Sequence, residues 1–466
     1  MPSPTQEPTA EPTRPISGVT ILIVSIADFS GRVRPDACPG ALQVHEAADG
    51  PLARVRLPGG AVSPAQLREL ASCAADLGSG VIELTSRANV QVRGLRSPTA
   101  FASRIAAAGL LPSPAHERVR NIVASPLGGR GPGGHLDPQP LVRALDEALC
   151  AHPRLAELPG RFLFALDDGT GDVTGLGADV TFAPLPGEGA ASPGTGPRAP
   201  TAPRDEPPPM APRNGRLLLA GSDTGLTTGP DSAVPLMIAA AEAFLDERSR
   251  EDGAGAWRLH ELPDGPARIT ARLTGPATGD PASINPATSN PAAIDAAPAS
   301  ARGGAGGERD GPGRARAGRV AQRAGRVAQR DGRVAVEVVV PLGRLSPGQA
   351  RALAGGGVIR LTPWRTAVLL DLSPAEADRI TDALDIAGLA TDPGSPWAGV
   401  TACTGRPGCA KSRADVQADA RRWVAGLDEA PETPVHWAGC ERRCGLPSGR
   451  VVQLIATTDG YEEHRQ

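Results

Sequence analysis

The sequence predicts a duplicated α+β fold, and three recurrences carry that prediction. Ser63-Pro64-Ala65-Gln66-Leu67-Arg68-Glu69-Leu70-Ala71 returns as Ser346-Pro347-Gly348-Gln349-Ala350-Arg351-Ala352-Leu353-Ala354. Gly80-Val81-Ile82-Glu83-Leu84-Thr85 returns as Gly357-Val358-Ile359-Arg360-Leu361-Thr362. Ser97-Pro98 and Ser373-Pro374 each open a helical pattern, and these patterns end at Gly109-Leu110 and Gly388-Leu389. A repeat of roughly 280 residues is far too long for a solenoid. It is a duplicated domain-sized unit.

Each unit reads as strand, helix, strand, helix. Residues 54–57 and 334–340 are β-type runs. The Ser-Pro pairs supply a helix N-cap and a first-turn proline whose φ is already set. Ser373 also has Glu376 three residues on, the acid of a capping box. Residues 82–92 and 359–370 return as strands. In the first unit a second region opens at Arg120-Asn121-Ile122, with a helix from Asp137-Pro138, strands at 162–166 and 217–220, and a helix over 234–247. The matching region of the second unit opens near Val400-Thr401-Ala402-Cys403.

The resulting division is a polar tail over 1–18, a half-unit over 19–110 and an α+β domain over 115–265 with a Pro-rich insert at 183–215. A basic linker over 271–333, a second half-unit over 334–390 and a second α+β domain over 391–466 follow. Tail, insert and linker read as unfolded. The insert holds ten prolines, and the linker has no aromatic residue and ends in tandem AGRVAQR copies over 317–330. Such segments bury too little apolar surface to offset the entropy of ordering.

Composition narrows the function classes. The net charge of −3 gives no global basic footprint for nucleic acid. No apolar run approaches the ~20 residues of a membrane span. The acidic, Pro/Thr-rich start lacks the basic and apolar regions of a secretory signal. The expectation is a soluble cytoplasmic protein with neither nucleic-acid nor membrane partners.

Cys403-x5-Cys409 with Cys440-x3-Cys444 is the strongest chemical signal. Four thiolates can hold a tetrahedral zinc ion or an iron–sulfur cluster. The five-residue gap is wider than the usual zinc knuckle and favours a [4Fe-4S] cluster. Gly405, Pro407 and Gly408 would let the backbone wrap it. Gly129-Arg130-Gly131-Pro132-Gly133-Gly134 matches GxGxxG, but Pro132 blocks the helix that a dinucleotide site opens inside the motif. With no nicotinamide or flavin domain encoded, electrons are expected from a partner redox protein. Arg87 sits at a turn, and Asn89, Gln91 and Arg93 share one strand face by the period of two. That face reads first as solvent-exposed, second as a surface for a polyanion. His436 reads as a packing or supporting histidine, and His45 carries no role.

At these residues the chain resembles the siroheme-dependent sulfite and nitrite reductase superfamily, and within it the precorrin-3B synthases of aerobic cobalamin biosynthesis. The resemblance rests on Ala37-Cys38-Pro39-Gly40, Leu-Ala-Arg-Val-Arg-Leu-Pro-Gly-Gly at 52–60, Leu84 through Gly94, Arg120 through Pro126, Thr362-Pro363-Trp364-Arg365 and the cysteine pairs. It implies a sulfite/nitrite reductase-like α+β architecture in which two ferredoxin-like half-units combine and two α+β domains flank a central site. It implies a [4Fe-4S] cluster on Cys403, Cys409, Cys440 and Cys444. Arg87, Arg120, Arg161 and Asn121 are implied to bind a tetrapyrrole. The branch implies hydroxylation of precorrin-3A at C20 with γ-lactone closure, using O2, NADH and a non-haem iron. The alternative is a siroheme-dependent sulfite or nitrite reductase, and a third possibility is an iron–sulfur carrier or zinc scaffold. The reductases carry a lysine and a further polar residue after their Leu-Pro-Arg. Here Leu158-Pro159-Gly160-Arg161 is followed by apolar Leu163, which weakens the reductase alternative.

Overall fold

A computed structural model describes residues 36–185, 214–250, 253, 255–275, 324–447 and 449–465. The expected tail, most of the Pro-rich insert and most of the basic linker lie outside the described residues. Among the described residues no helix is long and apolar enough to cross a membrane.

The first half-unit runs β1 (His45–Ala47), β2 (Gly50–Val55), β3 (Ala61–Val62), α1 (Pro64–Leu77), β4 (Ile82–Leu84), β5 (Val90–Val92) and α2 (Pro98–Ala107). Its α+β domain adds β6 (Ile122–Ala124), α3 (Gln139–Ala151), β7 (Phe164–Leu166), β8 (Val180–Pro184), β9 (Gly215–Leu219), β10 (Ser222–Thr228), α4 (Pro230–Arg248) and α5 (Gly265–Thr274). The second half-unit runs β11 (Gly325–Ala328), β12 (Val334–Val339), β13 (Arg344–Leu345), α6 (Pro347–Leu353), β14 (Val358–Leu361), β15 (Thr366–Leu372) and α7 (Pro374–Ile386). The closing domain is β16 (Val400–Ala402), α8 (Val416–Val424), β17 (Val435–Ala438), β18 (Val452–Ala456) and β19 (Tyr461–Arg465).

Local chemistry explains the helix starts. Ser63 and Ser346 accept from the backbone N–H of Gln66 and Gln349, whose side chains answer back as full capping boxes, and Ser373 with Glu376 does the same. The stretches 82–92, where a turn was expected at Arg87, and 359–370, expected as one strand, are both hairpins. Ala88 at φ 57° and Arg365 at φ 62° reverse the chain. Thr85 and Thr362 hold these turns through side-chain bonds from Asn89 N and Thr366 N. Hydrophobic alternation continues across such a tight turn, which is why it reads as one strand. The linker is also shorter than its composition suggests. At one end α5 extends to Thr274, and at the other β11 pairs antiparallel with β12. Half of one AGRVAQR copy therefore serves as an edge strand.

Two sheets of order β1-β2-β5-β4-β13 and β11-β12-β15-β14-β3 form the centre. Each half-unit thus gives its two-residue third strand to the other's sheet. Arg344 and Leu345 pair with Glu83 and Ile82, while Ala61 and Val62 pair with Arg360 and Ile359. One continuous core fills both, running from Leu67, Leu70 and Phe101 through Leu345, Leu353 and Leu369. The outer domains repeat one another. In each, three parallel strands are followed by an antiparallel fourth: β6-β7-β8-β9 and β16-β17-β18-β19.

Gly60 marks the crossover. It sits at φ +67°, and a Cβ there would lie 1.9 Å from the Leu361 carbonyl oxygen. Gly60→Ala should cost about 2 kcal/mol or more in a denaturant melt, since the left-handed backbone alone disfavours Ala by about 1–2 kcal/mol. A melt indistinguishable from that of the parent would show that the crossover tolerates movement.

Candidate functional site

The cysteines sit where parallel strands end. β16 delivers Cys403 and β17 delivers Gly439 and Cys440, with Ala402 in register with Trp437. Loops leaving the carboxyl ends of adjacent parallel strands form a natural crevice. All four thiols are free; Cys403, Cys409 and Cys440 are half-buried and Cys444 is exposed. They converge electrostatically. Burial pushes the Cys403 thiol up, and Cys444 and Cys409 push it further. Burial, then Cys440 and Cys409, does the same to Cys444. The backbone N–H of Gly439 donates to Cys403 Sγ at 3.2 Å. Among the described residues no three His, Cys, Asp or Glu side chains are placed to hold a metal ion. The donor set is four soft sulfurs with an amide aimed at one of them, and in chemistry it fits a thiolate-bound cluster.

Glycines let the loops close. A Cβ on Gly439 would strike Ser412 Oγ at 1.9 Å, and one on Gly408 would meet Thr404 Cγ2 at 2.8 Å and Asp49 Oδ2 at 2.9 Å. Each half-unit also sends one arginine to a cysteine loop. Arg93 makes a two-point ion pair with Asp49 at 2.9 and 2.8 Å and donates to the Gly408 carbonyl at 2.5 Å. Arg365 donates to the Gly445 carbonyl at 3.2 Å. The structure therefore adds Asp49, Arg93 and Arg365 to the site. The Thr362–Arg365 motif and the polar strand face were the only sequence signals for them.

That polar face is not solvent-exposed. Asn89 is 1 % exposed; it accepts from Leu57 N at 2.9 Å and donates to Asn121 Oδ1 at 3.2 Å. Gln91 bridges Arg54 and Glu83. The expectation of a wetted face fails because both outer domains pack against this sheet, a tertiary fact that strand periodicity does not encode. His436 is fully buried, with Nδ1 2.9 Å from Thr401 Oγ1. Burial, with Arg365 nearby, pushes its pKa down to about 3, so the ring is neutral. His45 lies exposed on β1.

Of the four expected substrate residues, two meet at one carbonyl. Arg87 Nη1 and Asn121 Nδ2 donate to Gly160 O at 3.2 and 3.0 Å, next to Arg161. Arg161 is exposed and its guanidinium stacks 4.9 Å from the Trp257 ring centroid. Burial, then Arg258, pushes Arg87 down to about 10. Arg120 turns the other way. Its guanidinium binds Asp146 of α3 through two 2.6 Å bonds, so it does not join the group. Successive residues entering a strand point to opposite sides, and with Asn121 directed at Gly160 the side chain of Arg120 is carried toward α3. Leu163 is buried in an apolar cluster with Val123, Ala165 and Val173. In the first α+β domain Ser125 follows β6 as Cys403 follows β16. Its hydroxyl donates to Asp172 at 2.6 Å and accepts from Asp168 N at 3.0 Å. In the GxGxxG stretch Gly129 N donates to Asp168, and the helix opens only at Gln139.

The family model for the nitrite/sulfite reductase ferredoxin-like half domain matches residues 45–99 and again 327–385, the two halves of the central sheets. The chain thus carries a pair of nitrite/sulfite reductase ferredoxin-like half domains. The whole chain is 26 % identical over 438 residues to a precorrin-3B synthase from Sinorhizobium sp, covering 92 % of this chain and 82 % of that protein. It is 32 % identical over 126 residues to the ferredoxin–nitrite reductase of Synechococcus elongatus, 25 % of each chain. The structure of the Mycobacterium tuberculosis NirA protein superposes with a TM-score of 0.61 at 22 % identity, covering 89 % of this chain and 73 % of that one. That last likeness is one of fold.

Arg93→Ala should destabilise by about 2 kcal/mol, since a charged hydrogen bond contributes about 1.5–3 kcal/mol. Amide exchange in the loop around Gly408 should quicken at the same time. Unchanged exchange there would mean that Arg93 does not brace the cysteine loop.

Proposed function

We propose that the chain is a precorrin-3B synthase-type mono-oxygenase of aerobic cobalamin biosynthesis, hydroxylating precorrin-3A at C20 with closure of a γ-lactone. One oxygen atom enters the substrate and the other leaves as water, with two electrons drawn ultimately from NADH through a partner redox protein. The observation that carries this is the likeness to the Sinorhizobium synthase over nearly the whole chain. Two features of the site support it. Arg87 donates to the carbonyl of Gly160, the residue before Arg161, and guanidinium forks such as theirs suit the carboxylates of a tetrapyrrole. Asn121, bonded to the same carbonyl, holds that backbone in place.

Cys403, Cys409, Cys440 and Cys444 would hold a [4Fe-4S] cluster, which when bound supplies one-electron transfer. Arg93 and Arg365 keep the two cysteine loops seated against the half-units, and the neutral His436 adds no charge behind them. A second, non-haem iron finds no ligand set among the described residues, and no step is assigned to it. Leu163 favours oxygenation over anion reduction. Delivering protons to bound sulfite or nitrite calls for cationic donors, and this position is apolar and sealed.

Full-length protein reconstituted without air should convert precorrin-3A, given reductant and O2, to a product one oxygen atom heavier. Sulfite or nitrite reduction with haem-type absorption bands, and no oxygenated product, would favour the siroheme reductase reading instead. Cys444→Ser should abolish both the brown cluster absorbance and turnover, and wild-type activity would remove Cys444 from the site. Arg87→Ala and Arg161→Ala should each weaken substrate binding by about 1.5–3 kcal/mol. Normal binding in both would move the pocket elsewhere.

A further inference from the structure

A cavity of about 470 Å³ lies where β3 and β14 meet the start of α1 and the α3 helix of the first outer domain. No residue of the cysteine domain lines it. Its charged wall is Arg56, Arg120, Arg143 and Arg360 against one acid, Asp146. That acid is already engaged by Arg120. Three buried N–H groups in the wall have no hydrogen-bond partner: Arg56 Nη1, Gln139 Nε2 and Arg360 Nε. Arg56 is 2 % exposed and Gln139 5 %. All three are donors. A buried donor without a partner has lost its hydrogen bonds to water with nothing in return, so this constellation lacks an acceptor.

The duplication shows where the acceptor went. At the symmetry-related crossover, Arg344 of β13 stands opposite Glu83 of β4 and pairs with it at 3.0 Å. Glu83 also accepts from Gln91 at 2.6 Å. At this crossover the matched positions are Ala61 of β3 and Arg360 of β14, again directly opposite. Here arginine has taken the place of the carboxylate, and a methyl group the place of the arginine. The space that Arg344 fills at one crossover is open at the other, and Arg360 faces it with no carboxylate from β3. Burial, with Arg130 nearby, pushes the Arg360 guanidinium down to about 10. Burial beside Arg54 pushes Arg56 to about 9. Both directions report cations held in a place short of negative charge.

We propose that this cavity is a binding site for a small oxyanion, the phosphate or carboxylate group of a soluble metabolite, held by Gln139, Arg360 and the unused Nη1 of Arg56. Its lining includes neither Arg87, Asn121 and Arg161 nor the cysteine loops, so it stands whether or not the chain oxygenates a tetrapyrrole.

The test is thermal melting of the full chain in chloride, in inorganic phosphate and in citrate at equal ionic strength. The wild type should melt higher in phosphate, in citrate or in both, and the pattern distinguishes a phosphate site from a carboxylate site. General salting-out by these anions is common to every variant, so the readout is the difference between variants. Gln139→Leu and Arg360→Met should bind the effective anion at least about tenfold more weakly, the equivalent of about 1.4 kcal/mol. Ala61→Glu places a carboxylate opposite Arg360. This variant should melt higher than the wild type in chloride and lose its anion response, so the proposal stays testable if the other two fold poorly. An anion response that is absent in the wild type, or equal in wild type and Ala61→Glu, would overturn the site.

Discussion

The reciprocal exchange of β3 and β13 is the constraint on which the rest of the structure depends. Each strand is only two residues long, yet it completes the sheet of the opposite half-unit. β4 and β14 are thereby covered by a strand from the opposite half-unit, and the two cores merge into one. Each outer domain follows directly from its half-unit, so this junction also fixes where the two outer domains stand. The arginines that reach the cysteine loops, Arg93 and Arg365, leave from β5 and from the turn before β15, one from each sheet. A shift at the crossover would move both.

Duplication followed by divergence explains the asymmetry of function. The outer domains share one strand order, and the position after the first strand is Cys403 in one and Ser125 in the other. Cysteine there offers a soft ligand to a metal cluster. Serine there is consumed in a hydrogen-bonded turn with Asp172 and Asp168. The crossover pairs diverged in the same manner, Arg344–Glu83 remaining an ion pair while Ala61–Arg360 opened a cavity.

Much of this was legible in the sequence because it is written locally. The Ser-Pro caps, the repeated Gly-Val-Ile segment and the cysteine spacing depend on neighbours a few residues apart. The hairpin hidden in 359–370 was not legible, and in 82–92 only the turn at Arg87 was, since a left-handed Ala88 or Arg365 interrupts the strand without interrupting its apolar pattern. Nor was the burial of Asn89, Gln91 and Arg93. Their partners Asn121, Glu83 and Asp49, together with the Gly408 carbonyl, are brought to them by the fold. Arg120 shows the same limit in reverse. The motif placed it with Arg87, and the side chain instead found Asp146, 26 positions along the chain.

The electron paramagnetic resonance spectrum of the full chain, as isolated and after chemical reduction, bears most directly on the central claim. A four-cysteine oxygenase predicts a reduced-cluster signal, lost in Cys444→Ser, with no ferric haem signal in the isolated protein. A high-spin ferric haem signal, or the absence of any cluster signal after reconstitution, would contradict it.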